Sequence, residues 1–321
     1  MIRIGISADL SPNGSIHQDT FINAVKMAAK NLELEKRGIE LIWENDFATA
    51  EGGTIAAQHI VAKQVHAVIG HYASAAAKNA LKTYKNAFPV FLPAATADAL
   101  TRDFPNAFRL CGKDSDLAAF IKNEFQKIKT HTLYIDHDNS THGIALSTLI
   151  KKQLRTLTHV SLVQSIATAN KVMYVGNYNH SIKFIEKNLT DLKTIDEIFF
   201  TDDLVRPELP KKLGHIDQKV VVFGYEHASQ CKTATRVNNQ YYKQFSDYPM
   251  TYFLETYAAI EIVVQLYTTN TLSDWQQQLH KQTWKTCIGD LTFDTYGDSN
   301  FKRFAKWSIE NTQLVVVENY N

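Results

Sequence analysis

Cysteine is scarce in this chain: Cys111, Cys231 and Cys287 are the only three in 321 residues, far apart and without the CxxC spacing of zinc or redox sites. A disulfide framework is not needed, because a chain of this length can bury its own cores. No apolar run approaches the roughly 18 residues of a membrane span. Neither sign of charge dominates, since 34 Lys and Arg face 33 Asp and Glu and are interspersed with them. The basic stripe of a nucleic-acid binder is therefore missing. HExxH, GxSxG and GxxxxGK[ST] do not occur, and no GxGxxG follows the first strand-like run. Zincin, nucleophile-elbow, P-loop and dinucleotide chemistries thus lack their parts. No Pro/Gly/Ser-rich tether and no solenoid period interrupts the chain.

What is present is alternation. With 45% hydrophobic residues the chain has the profile of a globular protein, and its length fits two lobes. Hydrophobic periodicity predicts strands at 2–7, 39–43 and 67–70 separated by helices at 18–34 and 54–64. A helix at 74–86 and short strands at 90–92 and 108–110 follow. After residues 112–116 the alternation restarts, with helices at 117–128, 143–154, 181–189 and 208–213 between strands at 132–135, 160–165, 198–200 and 220–223. Residues 248–280 read as helical, and short strands at 291–293, 304–309 and 314–317 end the chain. Chain order alone leaves open which lobe takes these last elements. The implied class is α/β, with parallel sheets covered by helices on both faces.

Ligands of open α/β sheets bind beyond the C-terminal strand ends, where helix N-termini and free N–H groups converge. In the first half those ends carry His71-Tyr72-Ala73-Ser74, with Ser74 expected at a helix N-cap, and Pro93-Ala94-Ala95-Thr96-Ala97-Asp98, a small-residue turn that lets a ligand approach the backbone. In the second half, the strand ending at Phe223 runs into Gly224-Tyr225-Glu226-His227, where a carboxylate can meet a ligand ammonium. Each of these also has a plainer reading as cap, turn or solvated acid. His131, Asp136, His137, Asp138 and His142 form a polar cluster whose spacing fits no zinc signature, so no metal and no other cofactor is expected. Asp202-Asp203 is read first as a solvated cap rather than an acid/base pair.

Taken together, the junctions resemble the leucine/isoleucine/valine-binding family of type I periplasmic binding proteins. The pieces are Val68-Ile69-Gly70-His71 with Ser74, Leu92-Pro93-Ala94-Ala95-Thr96 with Leu100-Thr101, and Phe108-Arg109 with Gly112, Asp114, Ser115 and Asp116. Thr256-Tyr257-Ala258-Ala259 and Gly289-Asp290-Leu291-Thr292-Phe293-Asp294 with Gly297-Asp298 complete the set. The resemblance implies two doubly wound, Rossmann-like lobes joined by three crossings, one of residues 1–117 and 248–299, the other of 118–247 and 300–321.

It also implies roles. Ser74 and Thr96 would bind a ligand carboxylate, the Ala94 carbonyl would accept from the ligand ammonium, and Glu226 would be the counter-charge from the other lobe. Tyr72, His142, Asp202 and Asp203 would line the pocket. His142-Gly143 stands where the family usually has Tyr-Gly, and Asp202-Asp203 where a second aromatic is common. Both departures favour a polar or cationic ligand side chain over a branched aliphatic one.

The implied protein is not an enzyme. It is an extracytoplasmic, monomeric solute-binding protein that captures an amino acid or similar small ligand in the interlobe cleft by hinge closure, and presents it to an ABC permease. A ligand-sensing receptor module on the same fold is the alternative. The chain runs from Met1 directly into the strand-like Ile2-Arg3-Ile4, so no export signal is expected within it.

Overall fold

The computed structural model describes residues 1–12, 14–214, 216–269 and 274–320. The chain divides into two compact units, of residues 1–113 with 227–302 and of 114–226 with 303–321, and passes between them three times. Residues 227–247, expected in the second lobe, belong to the first. The reason is apolar: Ala228, Cys231, Ala234, Val237 and Tyr241 are buried in the same core as Phe253 and Tyr257.

In unit 1 the elements run β1 (Ile2–Ala8), α1 (Gln18–Asn31), β2 (Ile39–Asn45), α2 (Ala50–Ala62), β3 (Ala67–Gly70), α3 (Ser74–Tyr84), β4 (Val90–Leu92), α4 (Ala99–Asp103) and β5 (Ala107–Arg109). The five strands form a parallel sheet in the order β2-β1-β3-β4-β5. Alternation along β3 distributes its side chains to both faces. Ala67 and Ile69 join one core with Ile4, Ile6 and Phe21, and Val68 joins another with Ala57, Ile60 and Leu81.

Unit 2 opens with α5 (Asp114–Gln126), β6 (His131–His137), α6 (Thr141–Leu154), β7 (Val160–Val163), β8 (Lys171–Val175), α7 (Tyr178–Lys187), α8 (Leu189–Leu192), β9 (Glu197–Thr201), α9 (Leu209–Lys212) and β10 (Lys219–Tyr225). The chain then returns to unit 1 for α10 (Thr235–Phe245), α11 (Phe253–Thr269), α12 (Trp275–Lys281) and a hairpin of β11 (Trp284–Thr286) with β12 (Gly289–Leu291). Residues 270–273, inside the stretch expected to be helical, lie outside the described residues. Finally β13 (Phe304–Glu310) and β14 (Gln313–Tyr320) join unit 2.

The unit 2 sheet runs β14-β13-β10-β9-β8-β6-β7. Its strands β6 to β10 are parallel and repeat the order of unit 1, while β13 and β14 are antiparallel. The sheet is thus mixed rather than parallel throughout. β8, which the pattern reading passed over, is the middle one of the five parallel strands: Val172, Met173, Tyr174 and Val175 are all buried, so no alternation marks it.

In each unit the strand order reverses direction beside the first strand, between β1 and β3 and between β6 and β8, which is where this topology opens a crevice. Gly70 closes β3 at φ +112°, and a Cβ there would lie 1.8 Å from the Ser7 carbonyl oxygen. Gly70→Ala therefore combines backbone strain with a backbone clash. It is expected to destabilise by about 3 kcal/mol or more, measured as a lower urea midpoint.

Candidate functional site

On unit 1 the candidate residues come together at the ends of the neighbouring strands β3 and β4. Ser74 is the first residue of α3, with Ala73 at the cap position. The expected N-cap role is thus shifted by one, because the cap residue itself has no side-chain hydrogen bond. The Ser74 hydroxyl instead accepts from the Ala97 N–H at 3.3 Å, which ties the β3 loop to the β4 loop. Ala94 and Thr96 lie in that second loop and are buried. Tyr72 is half-buried. Its hydroxyl is bonded to Thr256 and donates to the Tyr252 carbonyl at 3.3 Å, and its ring packs edge-on against Phe21 at 4.7 Å. Burial pushes its hydroxyl well above the ordinary tyrosine range, so Tyr72 stays a neutral phenol.

Two buried polar networks support these loops. The first is an arginine fork at the end of β5. Arg109, fully buried, donates from Nε to Asp298 at 2.9 Å, from Nη2 to Thr101 Oγ1 at 3.0 Å and from Nη1 to the Ala95 carbonyl at 3.1 Å. Asp298 also accepts from Thr101 at 2.9 Å and pairs with Lys113 at 2.7 Å. One guanidinium therefore fixes the β4 loop, α4 and the segment around Gly297.

The second network joins Asp46, His71, Ser7 and Tyr84, all buried. His71 Nδ1 is 2.6 Å from Asp46 Oδ2 and 3.1 Å from the Ser7 hydroxyl, and Nε2 is 2.9 Å from the Tyr84 hydroxyl. The Ser/His/Asp set is not a nucleophilic triad, because serine and aspartate meet the same ring nitrogen and all are closed to solvent. It anchors the residue that leads into the Tyr72-to-Ser74 loop.

On unit 2, His142, Asp202, Asp203 and Glu226 lie beyond the ends of β6, β9 and β10. Ser140 caps α6 by accepting from the Gly143 N–H at 2.9 Å. Asp138 spans the reversal point, accepting from the Ser140 N–H and hydroxyl at 3.0 and 2.6 Å and from the Asn177 N–H, beyond β8, at 3.0 Å. Burial pushes the Asp138 carboxyl up, but these hydrogen bonds prevail and hold it below its ordinary value. Asp202 and Asp203 form a single 3₁₀ turn after β9. Gly224 on β10 lets that turn pack closely, since a Cβ there would meet Val205 at 2.5 Å and the Asp202 Cα at 3.0 Å.

His142 is 3.8 Å from Asp114. Burial disfavours its cation, yet the carboxylates of Asp114, Asp202, Asp203 and Asp138 outweigh that and raise its pKa. Glu226 directly follows β10, with its side chain 5% exposed and ion-paired through Oε2 to Arg303. Its N–H donates to the Arg303 carbonyl at 3.0 Å. The sequence reading gave Glu226 no intramolecular partner; Arg303, 77 residues away, carries no local signal. Arg109 and Asp298 stood in the recognised motifs, but their pairing did not. Among the described residues no group of three or more His, Cys, Asp or Glu has a metal-holding arrangement, and the three cysteines are free and buried.

Two doubly wound units of identical inner strand order, each with polar side chains at its C-terminal strand ends, define a two-lobed α/β protein of the binding-protein type. The chain belongs to the periplasmic binding protein family, whose sequence model matches residues 1–172. A Leu/Ile/Val-binding protein homolog 1 of Brucella suis is 25% identical over 292 residues, covering 82% of this chain and 77% of that one. Among solved structures, the leucine-binding protein LivK of Thermotoga maritima superposes with a TM-score of 0.83 at 16% identity over 100% of this chain and 99% of its own. An R. palustris ABC-transporter solute-binding protein in complex with 4-hydroxybenzoate superposes with a TM-score of 0.81 at 13% identity, covering 100% and 97%.

Two outcomes test the electrostatics. Asp298 is pushed up by burial but held below its ordinary 3.8 by Arg109, Lys113 and Thr101. Its pairing therefore stabilises fully above the unfolded-state value near 3.8 and is lost as pH falls through the lower folded-state value. Asp298→Asn, which leaves the Arg109 charge buried, is expected to cost about 3 kcal/mol at pH 7. In urea unfolding at a series of pH values, the gap to wild type should narrow only in that acid window. His142 should titrate above 6.5 by NMR of the imidazole protons, and Asp114→Asn should lower that value.

Proposed function

We propose that this chain is the extracytoplasmic solute-binding component of an ABC transporter, and that it captures an amino acid or an amino-acid-like small molecule. The observation that carries the reading is the joined pair of loops on unit 1. The Ser74 hydroxyl and the Ala94-to-Thr96 backbone share one strand-end edge, locked from beneath by Arg109. On this reading Ser74 and Thr96 bind the ligand carboxylate and the Ala94 carbonyl accepts from its ammonium. Glu226, from the other unit, supplies the counter-charge. Arg303 engages Oε2 of that carboxylate and orients it, and on this reading Oε1 is the oxygen that meets the ammonium.

Relatives of known structure divide between leucine or isoleucine and aromatic carboxylates such as 4-hydroxybenzoate as ligands. We take the first class as the ligand class, with the Glu226 carboxylate shared between Arg303 and the ligand ammonium. His142, Asp202 and Asp203 make the far wall polar, so the ligand side chain is a polar or cationic one rather than leucine, isoleucine or valine. Binding acts as a signal through closure: a ligand touching residues of both units stabilises the closed form over the open one, and a permease reads that difference. Tyr72, with its hydroxyl spent on Tyr252 and Thr256, positions the loop rather than the ligand.

The test is thermal denaturation against a panel of amino acids and small carboxylates. A true ligand at about a hundred times its Kd adds roughly 2.7 kcal/mol, and a selective rise in Tm is expected for polar or basic amino acids. Glu226→Gln should weaken that binding by about 2 kcal/mol, roughly thirty-fold or more. Ser74→Ala should weaken carboxylate binding more modestly. Equal affinity in Glu226→Gln would remove the ammonium site, and a response to aromatic acids alone would replace the ligand class.

A further inference from the structure

Away from the strand ends, unit 1 carries a second concavity. It lies between α1 and α10, has a volume of about 600 Å³, and is lined by Asn23, Lys26, Lys30, Asn31, Gln240 and Lys243 among others. These positions are the i, i+3, i+4 faces of two facing helices, a place where packed helices ordinarily bury apolar side chains. Here polar contacts accompany the apolar ones of Met27 and Phe245. Asn31 Nδ2 donates to Gln240 Oε1 at 2.7 Å and to the Tyr257 hydroxyl at 3.0 Å, which binds α1 to α10 and α11. The floor of the groove is therefore held in place by hydrogen bonds.

The charge is one-sided. No acidic residue lines the groove. Lys26, Lys30 and Lys243 are exposed, and none of them makes an ion pair among the described residues. Lys30 and Lys243 stand in the last turns of their helices, where a cation complements the helix dipole. That accounts for two of the three. Lys26 lies one turn earlier, at i, i+4 to Lys30, a like-charge spacing that weakens a helix. A concave site of this size, with hydrogen-bonded amides and three lysines along its lining, has the dimensions and chemistry of a small-molecule site.

We propose that the groove between α1 and α10 is a second binding site, for a small polyvalent oxyanion, with Lys26, Lys30 and Lys243 as its charge partners and Asn31 and Gln240 as its fixed polar floor. The site is independent of the amino-acid ligand proposed above. Polycarboxylates and phosphorylated metabolites share the required chemistry, and the two probes below separate them.

The experiment is isothermal titration of the whole chain with citrate and, separately, with tripolyphosphate, each at ionic strength matched with sodium chloride. Saturable one-to-one binding of at least one probe is expected. It should weaken at least tenfold in the triple variant K26Q/K30Q/K243Q, while the amino-acid response of that variant stays at the wild-type level. Binding of citrate alone identifies a polycarboxylate site, and binding of tripolyphosphate alone a phosphate site. Absence of saturable binding by both probes, or equal binding by the variant, overturns the proposal.

Discussion

The buried guanidinium of Arg109 is the interaction on which the strand-end loops of unit 1 depend. A fully desolvated cation is tolerable only if its donors are satisfied, and here they reach Asp298, Thr101 and the Ala95 carbonyl in one fork. The consequence is geometric. The Ala94-to-Thr96 loop has no side chain large enough to hold itself, and its small residues alone would leave the loop loose. Arginine supplies from below the rigidity that alanine and threonine cannot supply from within. Lys113 adds a second cation to Asp298, so the carboxylate is neutralised from two sides in the stretch where the chain leaves unit 1.

The two units solve the same problem with different chemistry. Both place an acid where the strand order reverses. In unit 1 Asp46, just beyond the end of β2, reaches His71 beyond β3. In unit 2 Asp138, beyond β6, holds the N–H of Asn177 beyond β8. The first is a closed side-chain network, the second a carboxylate bonded to backbone. Above them the surfaces diverge. Unit 1 presents hydroxyl and backbone groups at Ser74 and Thr96, and unit 2 presents the carboxylates of Asp202 and Asp203 beside the His142 imidazole, whose cation they favour.

Local residue chemistry made much of this legible. Small residues at strand ends, the Ser74 position and the Glu226 carboxylate are visible within windows of five residues, and the α/β alternation follows from periodicity. What escaped was either central or distant. β8 is buried on both faces and shows no alternation. α10, rich in Asn, Gln and Tyr, is amphipathic but low in overall hydrophobicity, and its buried stripe is only Val237, Asn238 and Tyr241. Glu226 with Arg303 and Arg109 with Asp298 are separated by 77 and 189 residues, and no local pattern encodes a partner at that distance. The boundary near residue 227 was misplaced for the same reason, since only the assembled core shows that Ala228, Cys231 and Ala234 pack with Phe253.

The interleaving of the two units has a consequence for how the chain acquires its structure. One face of the first sheet, with Ile4, Ile6 and Phe21, is completed by α11, whose residues lie more than two hundred positions later; the edge of β10 is covered only by β13 and β14 at the end. Neither unit can bury its apolar surface during synthesis of its first segment. Such long sequence separations slow folding and leave apolar faces and strand edges open to wrong partners in the meantime. Completion of either core therefore waits on segments near the end of the chain, so removal of the last strands would expose the β10 edge rather than trim a loose tail.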